Sequence, residues 1–315
     1  MNIALFGYTG SGKTSLCTLL SGRKVESFNP EEPAVTIVKI LDPSLELCAK
    51  RAKARKTTFA EATLFDFKGS SKESGFQAKV LTKLLRFDLI IMTINLFSSD
   101  GKGSDLSSLF YELIFHDTER IETLLEKRAS DLAHGRRHAN PLEDSLLEKA
   151  SAFLKEERPL SMLEFSPQEY LTLRQFGFVT LNHFLYIANG SDLPASLTAD
   201  AEKFGIKGLV FNISEKPSPN LIDLFWKNFL DCAGYLTFYT IGEKEAKGWL
   251  LKKKKTALDA AEKIHTDIAK GFIRAEVIHY EDFISTPQQN HPEMHLEGKG
   301  YIVQNQDILS IRFSR

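Results

Sequence analysis

Ile3-Ala4-Leu5-Phe6-Gly7-Tyr8-Thr9-Gly10-Ser11-Gly12-Lys13-Thr14 sets an apolar, strand-like run directly before a G-x-x-x-x-G-K-[ST] pattern. Leu16, Leu19 and Leu20 then continue at helical spacing. Strand, glycine-rich loop and helix in that order read as a phosphate-binding P-loop. The glycines let the backbone curl until successive N–H groups converge on one anion, and the helix aims its positive end at the same point. Lys13 adds a charge for the β- and γ-phosphates and is the residue expected to serve catalysis, while the Thr14 hydroxyl is placed to ligate Mg²⁺.

Working outward, the chain has 315 residues and 43% hydrophobic content, enough for two domains with packed cores. The net charge of −1 leaves no global field drawing it to nucleic acid or membrane. Cys17, Cys48 and Cys232 are odd in number and far apart, which fits neither a disulfide framework nor a metal site. No apolar run approaches bilayer length, and a cytoplasmic protein, free of membrane, is the expectation.

Strand-like runs recur at Asn2–Phe6, Val35–Leu41, Ala62–Phe67, Leu89–Leu96, Phe184–Ala188 and Leu209–Ile213, with helical stretches between them. Several are continuously apolar, as strands covered on both faces must be. The pattern predicts a doubly wound α/β sheet. Between Ser104 and Pro159 the spacing changes: Leu106, Phe110, Leu113, Ile121 and Leu124, then Leu142, Leu146, Leu147, Ala150 and Phe153, flank Gly135-Arg136-Arg137-His138. That predicts an antiparallel helical hairpin projecting as a short coiled coil, its seam interrupted at Asp117 and Arg128. His116 on the same stretch reads as a surface histidine. The end of the chain changes again. Strands are expected at Tyr235–Ile241, Ala246–Leu251, Glu276–Tyr280, Tyr301–Val303 and Ile308–Phe313, with one helix over Ala257–Ile268. The expected domains are therefore 1–103 with 160–232, an insertion at 104–159, and a small α+β unit at 233–315.

Behind the P-loop, Asp66-Phe67-Lys68-Gly69 closes a strand with a D-x-x-G pattern. Asp66 can hold a metal-bound water, and the Gly69 N–H can sense a γ-phosphate and pull a switch loop. Thr36, in a mobile loop, is a candidate second Mg²⁺ ligand beside Thr14. Asn189-Gly190-Ser191-Asp192 follows another strand as an N-x-x-[DE] element. Asn189 can tie loops together or reach a purine edge, and Asp192 can accept from guanine donors. Ser214-Glu215-Lys216, after the next strand, can line a base through its backbone. The residues alone leave ATP and GTP both open.

The order of these elements, the helical insertion and the C-terminal run Lys270-Gly271-Phe272-Ile273-Arg274-Ala275-Glu276-Val277-Ile278, with Leu296-Glu297-Gly298-Lys299-Gly300-Tyr301-Ile302-Val303-Gln304, resemble the YchF / Obg-like ATPase family. Gly248-Trp249 and Ile264-His265-Thr266-Asp267 continue the likeness. The resemblance implies a P-loop NTPase with a helical insert and a β-grasp TGS domain, ATP as the usual nucleotide, and association with ribosomes. It further implies that Gly10 to Ser15 hold the phosphates, that Thr14 and Thr36 hold Mg²⁺, and that Asn189 and Gly190 touch the base. Three departures stand out. Asp192 replaces the family's Glu, while Gly190 stands where guanine-specific relatives carry Lys. Ser70 and the shortened run Ser71-Lys72-Glu73-Ser74-Gly75 replace a hydrophobic residue and a glycine-rich stretch. Lys252-Lys253-Lys254-Lys255 is more basic than the family's turn.

No Gln follows Gly69 to orient water, so slow intrinsic hydrolysis is expected, in the manner of a switch completed by a partner. The alternative is a ribosome- or RNA-binding module whose NTPase site has decayed. Lys50-Arg51-Ala52-Lys53-Ala54-Arg55-Lys56, Arg136-Arg137-His138 and Lys252–Lys255 are candidate contacts to ribosomal RNA if they share a face. They lack an aromatic platform among them, so phosphate contact is favoured over sequence reading of RNA or DNA. A monomer is expected.

Overall fold

A computed structural model describes residues 1–24, 32–97, 105–134, 140–215, 217–287 and 290–314. In chain order the first elements are β1 (Asn2–Phe6), α1 (Lys13–Ser21), β2 (Ala34–Lys39), α2 (Pro43–Arg51), β3 (Thr57–Thr58), β4 (Glu61–Asp66), α3 (Ala78–Lys83) and β5 (Leu89–Asn95). There follow α4 (Asp105–Ala133), α5 (Pro141–Lys155), α6 (Pro167–Phe176), β6 (Phe184–Asn189), α7 (Ala195–Lys203), β7 (Lys207–Phe211) and α8 (Pro219–Cys232). The chain ends with β8 (Tyr235–Ile241), β9 (Ala246–Lys252), α9 (Ala257–Ile264), α10 (Thr266–Lys270), β10 (Phe272–Ile278), α11 (Tyr280–Ser285), β11 (His295–Glu297) and β12 (Ile308–Phe313).

Two compact units result. One comprises Asn2–Thr36 and Thr63–Pro217, the other Ile37–Ala62 and Ser218–Arg315 together with Met1. The sequence reading kept residues 37–62 and 218–232 with the N-terminal domain; contacts group them with the C-terminal one. The physical reason is visible at Asp42. Its carboxylate caps α2 through the Ser44 and Leu45 amides and accepts the Tyr239 hydroxyl at 2.6 Å. Leu45, Cys48 and Ala49 then pack with Tyr239, Ala246 and Ile308.

The first sheet has the order β2-β4-β1-β5-β6-β7. β1 pairs in parallel with β4 and β5, β5 with β6, and β6 with β7, the doubly wound arrangement expected. Leu89 to Ile94 are all buried, as a central strand covered on both faces requires. The helical insertion shares this core: Leu106, Phe110, Leu113, Ile121, Leu146, Leu147 and Ala150 belong to the same apolar cluster as Phe6, Met92 and Phe184. It therefore packs onto the unit along its first half rather than standing free. Asp117, fully buried, accepts the Val179 and Thr180 amides at 2.9 and 2.7 Å and the Thr180 hydroxyl at 2.7 Å. His116 rests against this carboxylate with its side chain 12% exposed, so it is not the surface histidine expected. Arg128 pairs with Glu143 and Asp144 across the hairpin, and Leu142 is exposed instead of seam-facing.

The second sheet has the order β11-β10-β12-β8-β9-β3. β8 and β9 form an antiparallel hairpin, β12 runs parallel to β8, and α9 covers one face through Ala257 and Ala260, as in a β-grasp. Three expectations shift here. The helix over 257–268 breaks at His265, whose extended backbone starts α10 while its Nδ1 accepts the Asp267 amide. β10 runs over Phe272–Ile278, and Tyr280 opens α11 instead. Tyr301–Val303 makes only the single bridge of Ile302 to Thr256, because buried Asp307 collects the Tyr301 hydroxyl and Gln304 amide into a turn.

Candidate nucleotide site

The site lies at the carboxyl ends of β1, β4, β5, β6 and β7, where an open α/β sheet presents its loops. Register brings them level: Leu5 pairs with Asp66, and Asn189 with both Asn95 and Phe211. After β1 the loop curls through Gly10 and Gly12 at φ +79° and +100°, values that glycine alone takes without strain. The first i→i−4 bond of α1 is Leu16 N–H to Gly12 carbonyl, at 2.8 Å. The amides of Lys13, Thr14 and Ser15 thus precede the helical ladder and point from its positive end.

Lys13 is 6% exposed, and its ammonium donates to the Gly7 and Tyr8 carbonyls at 2.8 Å each. Burial lowers its pKa to about 8, with the Asp66 charge opposing the shift. Ser11 is buried, its Oγ 2.6 Å from Thr93 Oγ1 on β5, which fixes the loop to the sheet. Thr14 Oγ1 donates to Asp66 Oδ2 at 2.5 Å. Burial raises the Asp66 carboxyl, while the Thr14 bond and the Lys13 charge pull it back. This hydroxyl–carboxylate pair has the all-oxygen donor chemistry that Mg²⁺ takes, so the residues fit the ion the sequence reading assigned. Thr36, expected in a mobile loop, lies within strand β2.

Gly69 presses on the P-loop. A Cβ there would meet Thr9 N at 2.6 Å and Lys13 Nζ at 2.8 Å. The Thr9 amide donates to the Ser70 carbonyl at 2.9 Å, joining the D-x-x-G loop to the phosphate cradle by backbone. Ser70 Oγ donates to the Gly75 carbonyl and lies 2.9 Å from Ser74 Oγ, so its hydroxyl closes the loop on itself.

At the other end, Asn189 Oδ1 accepts the Ile213 amide at 2.9 Å, and a Cβ on Gly12 would come within 3.0 Å of its Nδ2. Asn189 therefore ties the β6 loop to the β7 loop and abuts the P-loop. Gly190 lies against Leu96, where a Cβ would fall 2.6 Å from Leu96 Cβ. Asp192 is exposed and accepts the Ser191 hydroxyl at 2.9 Å. The Ser214 amide donates to Asn212 Oδ1 at 3.0 Å. Lys216 lies outside the described residues, as does Arg136-Arg137-His138.

Several contributors escaped the sequence reading: Thr93, Leu96, the Tyr8 hydroxyl and Glu112. Thr93, Leu96 and Glu112 reach the site from far along the chain and no local pattern marks them, while Tyr8 lies in the P-loop itself and only its partner Glu112 is distant. The two described basic clusters both lie in the second unit but at opposite ends of β9. The Ala246 amide at its start donates to the Lys56 carbonyl, and Lys252 is its last residue. A seven-residue strand separates them by about 20 Å. Lys56, Lys253 and Lys255 are paired with Glu245, Asp231 and Asp259, which reduces the free charge of both.

Three comparisons bear on this arrangement. Residues 235–314 match the family model YchF-GTPase_C, described as a protein of unknown function (DUF933). The chain is 26% identical to the ribosome-binding ATPase YchF of Bacillus subtilis, over 100% of this chain and 99% of that one. It is 28% identical to the ribosome-binding ATPase YchF of Escherichia coli O157:H7, over 98% of each. The solved structure of the Schizosaccharomyces pombe YchF GTPase shares the fold, with a TM-score of 0.80 at 18% identity over 99% of this chain and 97% of that one.

Proposed function

The chain belongs to the YchF family, and from that premise we propose that it is a ribosome-associated P-loop NTPase. It binds a purine nucleoside triphosphate with Mg²⁺, ATP in preference to GTP, and hydrolyses it slowly as a switch. The observation that carries this is the interlock of Lys13, Thr14, Asp66 and Gly69 at the curl of the P-loop. Gly10 to Ser15 hold the phosphates, and Lys13 places its charge beside them. Thr14, Asp66 and Thr36 are the residues that would hold Mg²⁺, which when bound neutralises charge on the phosphate oxygens. Asn189 and Gly190 form the floor beneath the base, with Asp192 and Ser214 at its edge.

Hydrolysis is slow on this reading because no side chain after Gly69 is built to orient water: Ser70 is short, and its hydroxyl serves the Gly75 carbonyl. A ribosome contact that completes the site would accelerate turnover. The preference for ATP follows the curated relatives, both named ATPases. The exposed basic residues of the second unit, the TGS domain on this reading, support contact with ribosomal phosphates.

The test is calorimetry of ATP and GTP side by side with Mg²⁺, followed by hydrolysis with and without ribosomes. Tighter ATP binding and ribosome-stimulated turnover are expected. Failure to bind either nucleotide would sink the reading. Binding without turnover on ribosomes would instead leave a ribosome-binding module with a decayed NTPase site.

A further inference from the structure

One carboxylate of the helical insertion holds both halves of the phosphate site. Glu112, on the second turn of α4, accepts the Tyr8 hydroxyl on Oε1 at 2.7 Å and the Phe76 amide on Oε2 at 2.6 Å. Tyr8 is the second residue of the P-loop, and its carbonyl is one of the two that hold Lys13. Phe76 ends the loop that starts at Gly69. The two loops are also packed by rings: Phe76 lies 4.2 Å from Phe6 at the end of β1 and stacks on Tyr8 at 5.7 Å, centroid to centroid. Gly75 turns at φ +59°, and a Cβ there would meet Glu112 Oε2 at 3.2 Å, so the loop reaches this carboxylate by a close backbone approach. Two turns earlier on α4, Asp105 pairs with Lys72 of the same loop.

We propose that Glu112 is a positioning residue for the phosphate chemistry: it holds the loop 69–76 against the P-loop and so links the site to the root of the helical hairpin. This rests on the NTPase reading above for its catalytic consequence, but the holding itself does not. Both carboxylate oxygens accept, each from a different loop, so the side chain fixes the two loops relative to each other and not merely to α4. Gly69 touches Lys13 and Thr9 at the far end of the held segment. A loop released at Phe76 would lose that registry, and with it the amides that face a γ-phosphate. α4 is one unbroken helix from Asp105 to Ala133, so displacement along the hairpin acts on this bond directly.

The test compares wild type with Glu112→Ala, Glu112→Gln and Tyr8→Phe. Glutamine can accept from the Phe76 amide and donate to the Tyr8 oxygen, keeping both links without the charge. Glu112→Ala is expected to lower kcat roughly tenfold with KM and nucleoside diphosphate affinity within about twofold, because the cradle itself is intact. Glu112→Gln should recover most of that loss, and Tyr8→Phe should fall between. Amide hydrogen exchange of the 70–77 segment should accelerate in Glu112→Ala in protein without nucleotide. Unchanged kcat, a rise in kcat, or a parallel loss of diphosphate affinity in Glu112→Ala would overturn the proposal. So would equal exchange at Phe76. Should Glu112→Ala fail to fold, Tyr8→Phe removes a single hydroxyl and carries the same test. If wild type binds no nucleotide, the functional reading fails alone, and the exchange of Phe76 still decides whether Glu112 holds the loop.

Discussion

At the phosphate end of the sheet, Lys13, Ser11, Thr14 and Gly69 make contacts that converge on one small volume: Ser11 and Thr14 reach the two strands beside β1, Lys13 binds carbonyls of its own loop, and Gly69 presses on that loop. At the base end, Asn189, Gly190, Asp192 and Ser214 turn to their own neighbours: the Ile213 amide, Leu96, the Ser191 hydroxyl and the Asn212 side-chain oxygen Oδ1. The first end is organised around an anion. The second is organised around holding two loops together, and on the proposed reading the base would rest on the result. Phosphate binding should therefore depend steeply on individual residues, and base selection only shallowly.

The steepest test is Lys13→Ala. Loss of this buried ammonium should cost roughly a hundredfold or more in turnover and triphosphate affinity, measured by steady-state hydrolysis and calorimetry. A variant that binds and turns over normally would remove the distinction between the two ends. Lys13 also gives this end a pH signature. Burial lowers it to about 8 from an ordinary 10.5. The unfolded chain thus binds more protons across that window, so the stability of the protein without nucleotide should rise with pH from about 8 to 10.5. Triphosphate binding uses the ammonium, so affinity should fall over the same range. Urea unfolding of wild type and Lys13→Ala at several pH values checks the sign, since the rise should vanish in the variant. Next is Gly69→Ala, whose methyl would collide with the Thr9 backbone nitrogen at 2.6 Å. Backbone cannot retreat as a side-chain tip can, so turnover should fall at least tenfold while stability drops by about 1–3 kcal/mol. Normal hydrolysis in this variant would detach the D-x-x-G loop from the chemistry.

The contrast also explains what could be read from residues alone. The P-loop and D-x-x-G are contiguous, because backbone curling and close approach must come from glycines at fixed offsets. That Gly12, Lys13, Thr14, Asp66 and Gly69 would come together was legible for that reason, as were β1, β5 and β6 from their apolar runs. Thr36 falls inside the strand-like run Val35–Leu41 and also suits a mobile-loop Mg²⁺ ligand; the chain places it in the strand, β2. Residues 37–62 carry helix and strand signals that suit either unit. Contacts across nearly two hundred positions, such as the Asp42–Tyr239 bond and the pairing of β3 with β9, assign them. Glu112 and Thr93 act at separations no spacing rule reaches, as does Asp117, which looked like a flaw in a coiled-coil seam and is instead the buried acceptor of two amides.

The base end supplies the smaller effects. Asn189→Ala leaves the buried Ile213 amide without its acceptor, which costs about 1–3 kcal/mol and loosens the floor beneath either purine. ATP and GTP affinities should therefore fall together by roughly tenfold, and a loss confined to one of them would show that Asn189 reads the base edge. Asp192→Asn is the smallest. Its carboxylate is exposed and accepts the adjacent hydroxyl of Ser191, so little in the fold depends on it. A guanine held by an aspartate presents two donors to it, and asparagine offers a donor to one of them. If Asp192 reads guanine, the substitution should depress GTP affinity alone by a hundredfold scale, as unmatched donors in a built site do. If the base end serves chiefly to join loops, both affinities should stay within about twofold of wild type, and competition calorimetry at one Mg²⁺ concentration separates the two outcomes.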